Sequence, residues 1–174
     1  MKPTRLNLVS LMNSVESVEK FNNVAGWKDP DDQSAKQMWE ALLAQAKVNL
    51  EEAKEAYQAC LDKNLLEVLD GGADSFVTSV GLLQKLKSYG FNVENAVEDV
   101  CENNLSKYLD SFTQAKADEA AYSLSHPEDK IEVIESDIDY LFVLKDKNGK
   151  IRKPKNFKPV ELVKYLPYIT RAEV

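Results

Sequence analysis

Residues 50–74 read LEEAKEAYQACLDKNLLEVLDGGAD, and the division of this stretch decides the fold. Up to Cys60 the apolar residues keep a helical period: Met38, Leu42, Ala46, Leu50, Ala53, Tyr57 and Cys60 recur three or four apart. The period extends back to Ser34, a side chain suited to cap a helix N-terminus. Leu61–Asn64 reads as a tight connection, and a new helical period begins at Leu65. It places Leu66, Leu69, Ala73, Phe76, Val77, Val80, Leu83 and Leu86 inward as far as Ser88, with Gly90 as the stop. A connection this short makes the two long helices antiparallel neighbours.

The flanks add further elements. Val15–Ala25 predicts a short first helix with Val15, Val18 and Phe21 on one face. Lys28–Gln33 reads as a polar loop with Pro30 and the pair Asp31-Asp32. Val93–Leu109 and Thr113–Leu124 predict a fourth and a fifth helix, the latter ended by His126-Pro127. The period then changes. Ile131 and Val133, followed by Tyr140, Phe142 and Leu144, alternate as in strands, and Asn148-Gly149 between two short runs signals a hairpin. Pro154, Pro159 and Pro167 punctuate the tail. The expected fold is mainly α: a bundle of about five helices with a small C-terminal antiparallel hairpin. Residues 1–128 would form the helical domain, with the hairpin and basic tail of residues 129–174 packed on it.

Composition narrows the function. The chain has 174 residues, 22 basic and 29 acidic, for a net charge of −7. This excludes a general binder of nucleic-acid polymers or anionic membranes, which needs excess positive charge. No apolar run approaches a membrane span, and the opening residues carry no signal-peptide core. Two cysteines, Cys60 and Cys101, build neither a disulfide scaffold nor a four-ligand zinc site and suit a reducing compartment, read here as packing residues of a cytoplasmic protein (the host cytoplasm if phage-encoded). The single histidine, His126, excludes chemistry that needs two and reads as a turn residue. Charge is also uneven along the chain. Lys145–Lys164 holds eight basic and two acidic residues, whereas Glu51–Asp74 holds seven acidic and two basic ones.

That acidic middle is the candidate site. Glu52 and Glu55 lie one turn apart on one helix, and Glu67, Asp70 and Asp74 share a face of the next. Each group alone is an ordinary solvated face. Together, on antiparallel neighbours, they form a cluster whose mutual repulsion is unfavourable unless a hard divalent cation offsets it. Gly71 and Gly72, unfavourable in a helix interior, would let a partner helix or a ligand come close. Trp27, Trp39, Tyr57 and Phe76 could stack a base, but core packing is the better reading of them.

Three motifs then carry a resemblance. Glu51-Glu52-x-x-Glu55 with Glu67-x-x-Asp70, Asn104-x-Ser106-Lys107, and Gly149-Lys150-x-x-Lys153-x-x-Asn156-Phe157-x-Pro159 follow one another in the chain. In that order they resemble the MazG-like all-α nucleoside triphosphate pyrophosphohydrolases, a superfamily that includes phosphoribosyl-ATP pyrophosphohydrolase. The resemblance spans roughly residues 15–162.

It implies hydrolysis of a (deoxy)nucleoside triphosphate to the monophosphate and pyrophosphate, with a purine deoxynucleotide such as dGTP favoured. It implies Mg2+ or Mn2+ held by Glu52, Glu55, Glu67 and Asp70, with Glu51 as a further ligand or as base for the attacking water. Asp74, Asn104, Lys107, Lys150 and Lys153 would then contact substrate, although the basic strip Lys150, Arg152, Lys153, Lys155 could equally meet a neighbouring subunit. A homodimer or a dimer of dimers is implied as well. Two alternatives stand beside this reading: a non-catalytic helical adaptor, and a phosphoribosyl-ATP pyrophosphohydrolase.

Overall fold

The computed structural model describes residues 6–27 and 34–167. Five helices come first: α1 (Leu8–Val24), α2 (Ala35–Leu61), α3 (Leu65–Ser88), α4 (Val93–Leu105) and α5 (Phe112–Ser125). A short 3-10 turn (Pro127–Asp129), strands β1 (Glu132–Glu135) and β2 (Phe142–Lys145), and a second 3-10 turn (Leu162–Tyr165) follow. The fold is therefore mainly α with a small antiparallel sheet after the helices, as the periodicities require. No helix among the described residues is long and apolar enough to cross a membrane. The expected loop at residues 28–33 and the end of the tail lie outside the described residues.

The caps fix the helix bounds. Ser34 accepts a hydrogen bond from the Gln37 N–H and Asn64 one from the Glu67 N–H, both at 3.4 Å. Gly90 adopts φ +84, and the Phe91 N–H returns to the Leu86 carbonyl at 3.2 Å, closing the end of α3. Two bounds differ from expectation. α1 begins at Leu8 rather than Val15, because Asn7 caps it through the Ser10 N–H. α4 stops at Leu105 rather than Leu109. Three-residue turns at Lys107 and Tyr108 tighten the chain, and Leu109 then exchanges both backbone hydrogen bonds with Phe142 beside β2.

The chain divides into two compact units, and the division falls between Val93 and Glu94 rather than at residue 128. The first unit holds α1–α3 and takes back Tyr165–Pro167, whose Tyr165 carbonyl accepts from the Asn92 N–H. α1 packs on α3, and α2 packs along α3. Its core gathers Met38, Leu42 and Tyr89 with Trp27, Ala41, Leu82, Leu86 and Phe91 around them.

The second unit holds α4, α5 and the sheet, because the apolar faces of α5 and the strands need each other. Leu109, Ala115, Ile131 and Leu144 form its core, with Tyr122, Val133 and Phe142 around them. β1 and β2 pair antiparallel, Glu132 opposite Lys145 and Ile134 opposite Val143. Their turn places Asp139 and Tyr140 at φ +55 and +52, the two left-handed residues of a tight hairpin. The turn expected at Asn148-Gly149 forms too, with Gly149 at φ +78, but its return arm makes only the bridge of Ile151 to Lys145. Pro154 follows shortly and has no N–H to extend that ladder. Cys60 and Cys101 are both exposed, so neither is a packing residue.

Candidate functional site

Two close contacts fix how α2 and α3 run past each other. Gly71 is buried against Ala56, where a β-carbon on the glycine would stand 2.9 Å from the alanine Cβ and 3.0 Å from its Cα. Further along, a β-carbon on Gly81 would meet the Gln45 side chain at 3.2 Å, and Gln45 Nε2 donates to the Thr78 carbonyl at 3.1 Å. Gly71 thus performs the first task expected of it: it brings the partner helix close.

These contacts set the level of every carboxylate along the helix pair. Stepping from the Ala56–Gly71 contact puts Glu55 at the level of Gly72 and Glu52 at the level of Ser75, beside Asp74. Asp70 sits one turn below Asp74. Glu67 comes level with Cys60, about 12 Å along the axis from Glu52 at 1.5 Å per residue. On the same count Asp70 comes level with Tyr57, so the acids form a row along the helix pair, from Glu52 and Asp74 through Glu55 and Asp70 to Glu67 at the loop end.

Electrostatics report the same grouping. Partial burial pushes the Glu52 carboxyl above the usual glutamate range, and the charges of Asp74, Glu55, Glu51 and Asp70 push it further. Asp74 contributes the most of those charges, and Glu67 is not among them. Asp74, assigned from sequence to substrate contact, is thus the acid whose charge acts most strongly on Glu52.

The donor chemistry fits a hard divalent cation, since the set is carboxylate oxygen throughout. The side chains do not converge on one point: among the described residues, no three of His, Cys, Asp or Glu stand close enough together to hold a metal ion. What the geometry supplies is a row of like-charged carboxylates along one helix pair, whose mutual repulsion raises the Glu52 carboxyl.

The remaining sequence candidates lie on the second unit. Lys107 Nζ donates to Asn104 Oδ1 at 2.5 Å, which confirms that the two share one side of the chain. Lys150 is exposed, and its N–H donates to Asp146. Lys153 places its ammonium 4.8 Å from the Phe157 ring centre, and its carbonyl accepts from the Tyr122 hydroxyl. The rest of the basic strip is engaged at home. Arg152 pairs with Asp129 and Asp146, and Lys155 lies 4.8 Å over Tyr122 while its N–H donates to the buried Asp118.

One feature carries no sequence signal. Lys85 sits 4.4 Å over the Trp27 ring and donates to Gln45 Oε1 at 2.8 Å, and its burial lowers its pKa. Trp27 is thereby committed to the core, whereas Trp39 and Tyr57 are exposed. His126 closes α5 with its ring beside Tyr122, as a turn residue should.

No protein-family model, characterised protein or solved structure matches the chain.

Proposed function

We propose that this protein hydrolyses a (deoxy)nucleoside triphosphate to the monophosphate and pyrophosphate, with Mg2+ or Mn2+ carried by the α2–α3 carboxylates. The observation that supports the reading best is the raised Glu52 carboxyl inside a field of four other acids. A bare patch of that charge repels a triphosphate, so a small polyanion can be accepted there only together with cations. The three ordered motifs that resemble the MazG-like hydrolases support the same chemistry and favour a purine deoxynucleotide.

Glu52, Glu55, Asp70 and Asp74 are the residues that would hold the cation, with Glu51 as proton acceptor or further ligand. Glu67, one turn from Asp70 at the loop end of the row, is the further candidate ligand. When bound, such a cation lowers the pKa of water and offsets charge on the transferring phosphoryl group. Asn104, Lys107, Lys150 and Lys153 remain the candidate phosphate contacts of the second unit. The exposed thiols of Cys60 and Cys101 fit a reducing, cytoplasmic setting.

The test is pyrophosphate release from each of the common dNTPs and NTPs with Mg2+ or Mn2+. Release that is lost in both Glu52→Gln and Asp74→Asn supports the reading. No release from any nucleotide, or full rates in both variants, overturns it in favour of a non-catalytic helical adaptor.

A further inference from the structure

The two-stranded sheet of the second unit uses its faces differently. Phe142 and Leu144 pack into the core shared with α5. Val143 and Lys145 alternate to the opposite face. There they line a cavity of about 350 Å³ together with Leu105, Tyr108, Ile138 and Asp139. The early end of α4 builds one wall. Leu109 exchanges both backbone hydrogen bonds with Phe142 and is buried in the core, so Tyr108 beside it falls on the cavity side. The hairpin loop builds the other wall. It is braced by the Ile138 N–H donating to Ser136 Oγ at 3.1 Å and by the Ser136 N–H donating to the Leu141 carbonyl at 2.7 Å.

The lining is mostly apolar, with a few polar groups, as in sites for small molecules. Two of those groups are charges of opposite sign, Asp139 and Lys145. Among the described residues, neither side chain has a hydrogen-bond or ion-pair partner. Glu132 stands opposite Lys145 across the strands but forms no salt bridge with it. A volume at the low end of ligand pockets suits a nucleobase with its sugar rather than a larger molecule.

We infer that this cavity takes a guanine base, that of the triphosphate in the proposed reaction, on which the inference rests. A carboxylate is an acceptor with two oxygens and no donor. Guanine alone among the common bases presents two adjacent N–H donors, N1–H and the N2 amino group, on one edge. Adenine and cytosine set one amino group beside a ring-nitrogen acceptor, and uracil sets one N–H between two carbonyls. Guanine also carries the O6 and N7 acceptors that lysine reads. Asp139 and Lys145 together match that pattern, and the Tyr108 ring offers a stacking surface. Asn104 and Lys107, the candidate phosphate contacts, lie just before Tyr108 in the chain, so one short stretch serves both ends of the nucleotide. Base binding needs neither cation nor hydrolysis and is tested apart from them.

Isothermal titration of the full chain in EDTA with GMP, IMP, AMP, CMP and UMP tests this. GMP is expected to bind at least about tenfold tighter than AMP, CMP and UMP, and IMP, which lacks the N2 amino group, weaker than GMP by a similar factor. Asp139→Asn, a change that suits the left-handed backbone at φ +55, is expected to lose the preference for GMP and to gain binding of XMP, in which a carbonyl replaces that amino group. Lys145→Gln is expected to weaken GMP about tenfold, with its circular dichroism unchanged. Equal binding of the five monophosphates, no binding of GMP, or a GMP preference intact in Asp139→Asn overturns the inference. Triphosphate hydrolysis that depends on Glu52 but is indifferent to the base also overturns it, while leaving the proposed reaction in place. Selective GMP binding by a chain that hydrolyses no triphosphate overturns the reaction but supports the assignment of the cavity to guanine.

Discussion

Gly71 lies against Ala56 so closely that a β-carbon on the glycine would stand 2.9 Å from that of the alanine. This one contact sets the register of the two longest helices, and through it the company that each carboxylate keeps. Gly71→Ala should lower stability by about 1–3 kcal/mol through overpacking, partly offset by about 1 kcal/mol of better helix propensity. Combining it with Ala56→Gly should recover most of the overpacking loss. Urea denaturation of the two single variants and the double variant gives the coupling, and strictly additive effects would refute the contact.

The raised Glu52 carboxyl makes stability depend on pH in a definite direction. The folded chain binds that proton more tightly than the unfolded chain does. The unfavourable contribution of ionised Glu52 is therefore absent below the unfolded value of about 4.3. It grows as pH rises through the folded value and is fully present above it. Glu52→Gln should accordingly melt higher than wild type at neutral pH and low salt, with the gap closing in acid and narrowing as salt screens the four neighbouring charges. Identical melting curves at every pH would contradict this.

A divalent cation should reverse the same repulsion. Millimolar Mg2+ or Mn2+ is expected to raise the melting temperature of wild type by mass action on the folded state. The shift should be lost in Glu52→Gln and in Asp74→Asn. It should be weakened less by Glu67→Gln, because Glu67 sits about 12 Å along the helix axis from Glu52. Protons compete for the raised carboxyl, so apparent metal affinity should fall as pH drops through its range. Loss of the shift in Glu67→Gln with retention in Asp74→Asn would mean that the helix pair is set in another register.

The second unit is tied together by carboxylates rather than by apolar area alone. Asp118, only 2% exposed, accepts from Gln114 Nε2 at 2.8 Å and from the Lys155 N–H at 2.9 Å. Asp118→Ala leaves that N–H without its acceptor and should cost about 1–3 kcal/mol. Asp146 is the companion tie. Burial pushes its carboxyl up, but the N–H groups of Lys150 and Asn148 and the Arg152 guanidinium outweigh this and hold it below the usual range. Its stabilising contribution is therefore present above the unfolded value and is lost as pH falls through the folded one. Hydrogen exchange of the β1–β2 amides should report both effects, and unchanged protection in Asp118→Ala would refute the tie.

Much of the architecture is legible in particular residues. Ser34, Asn64 and Gly90 mark helix ends because their chemistry is local, requiring only the few N–H or carbonyl groups next to them. The strand alternation of Phe142 and Leu144 is local too, and so is the left-handed turn at Gly149. The end of α4 is not, because Leu109 leaves its helix to pair with Phe142, a residue distant in sequence. The hairpin turn at Asp139-Tyr140 also escapes reading, since neither residue advertises a positive φ as Asn-Gly does.

The candidate site divides in the same way. Sequence by itself determined that α2 and α3 are antiparallel neighbours and that acidic residues crowd their shared end; that Gly71 rather than Gly72 admits the partner helix came from the structure. Spacing along one helix is set by a fixed rise and turn, so residues three or four apart share a face whatever surrounds them. Which acid faces which across two helices depends on their relative sliding, and that is decided by side-chain packing at Ala56 and Gln45, not by any residue's own propensity. Only the tertiary structure could therefore put Asp74 level with Glu52, draw Arg152 and Lys155 into the second unit's own ties, and leave Leu66 and Leu69 exposed although periodicity alone marks them as inward.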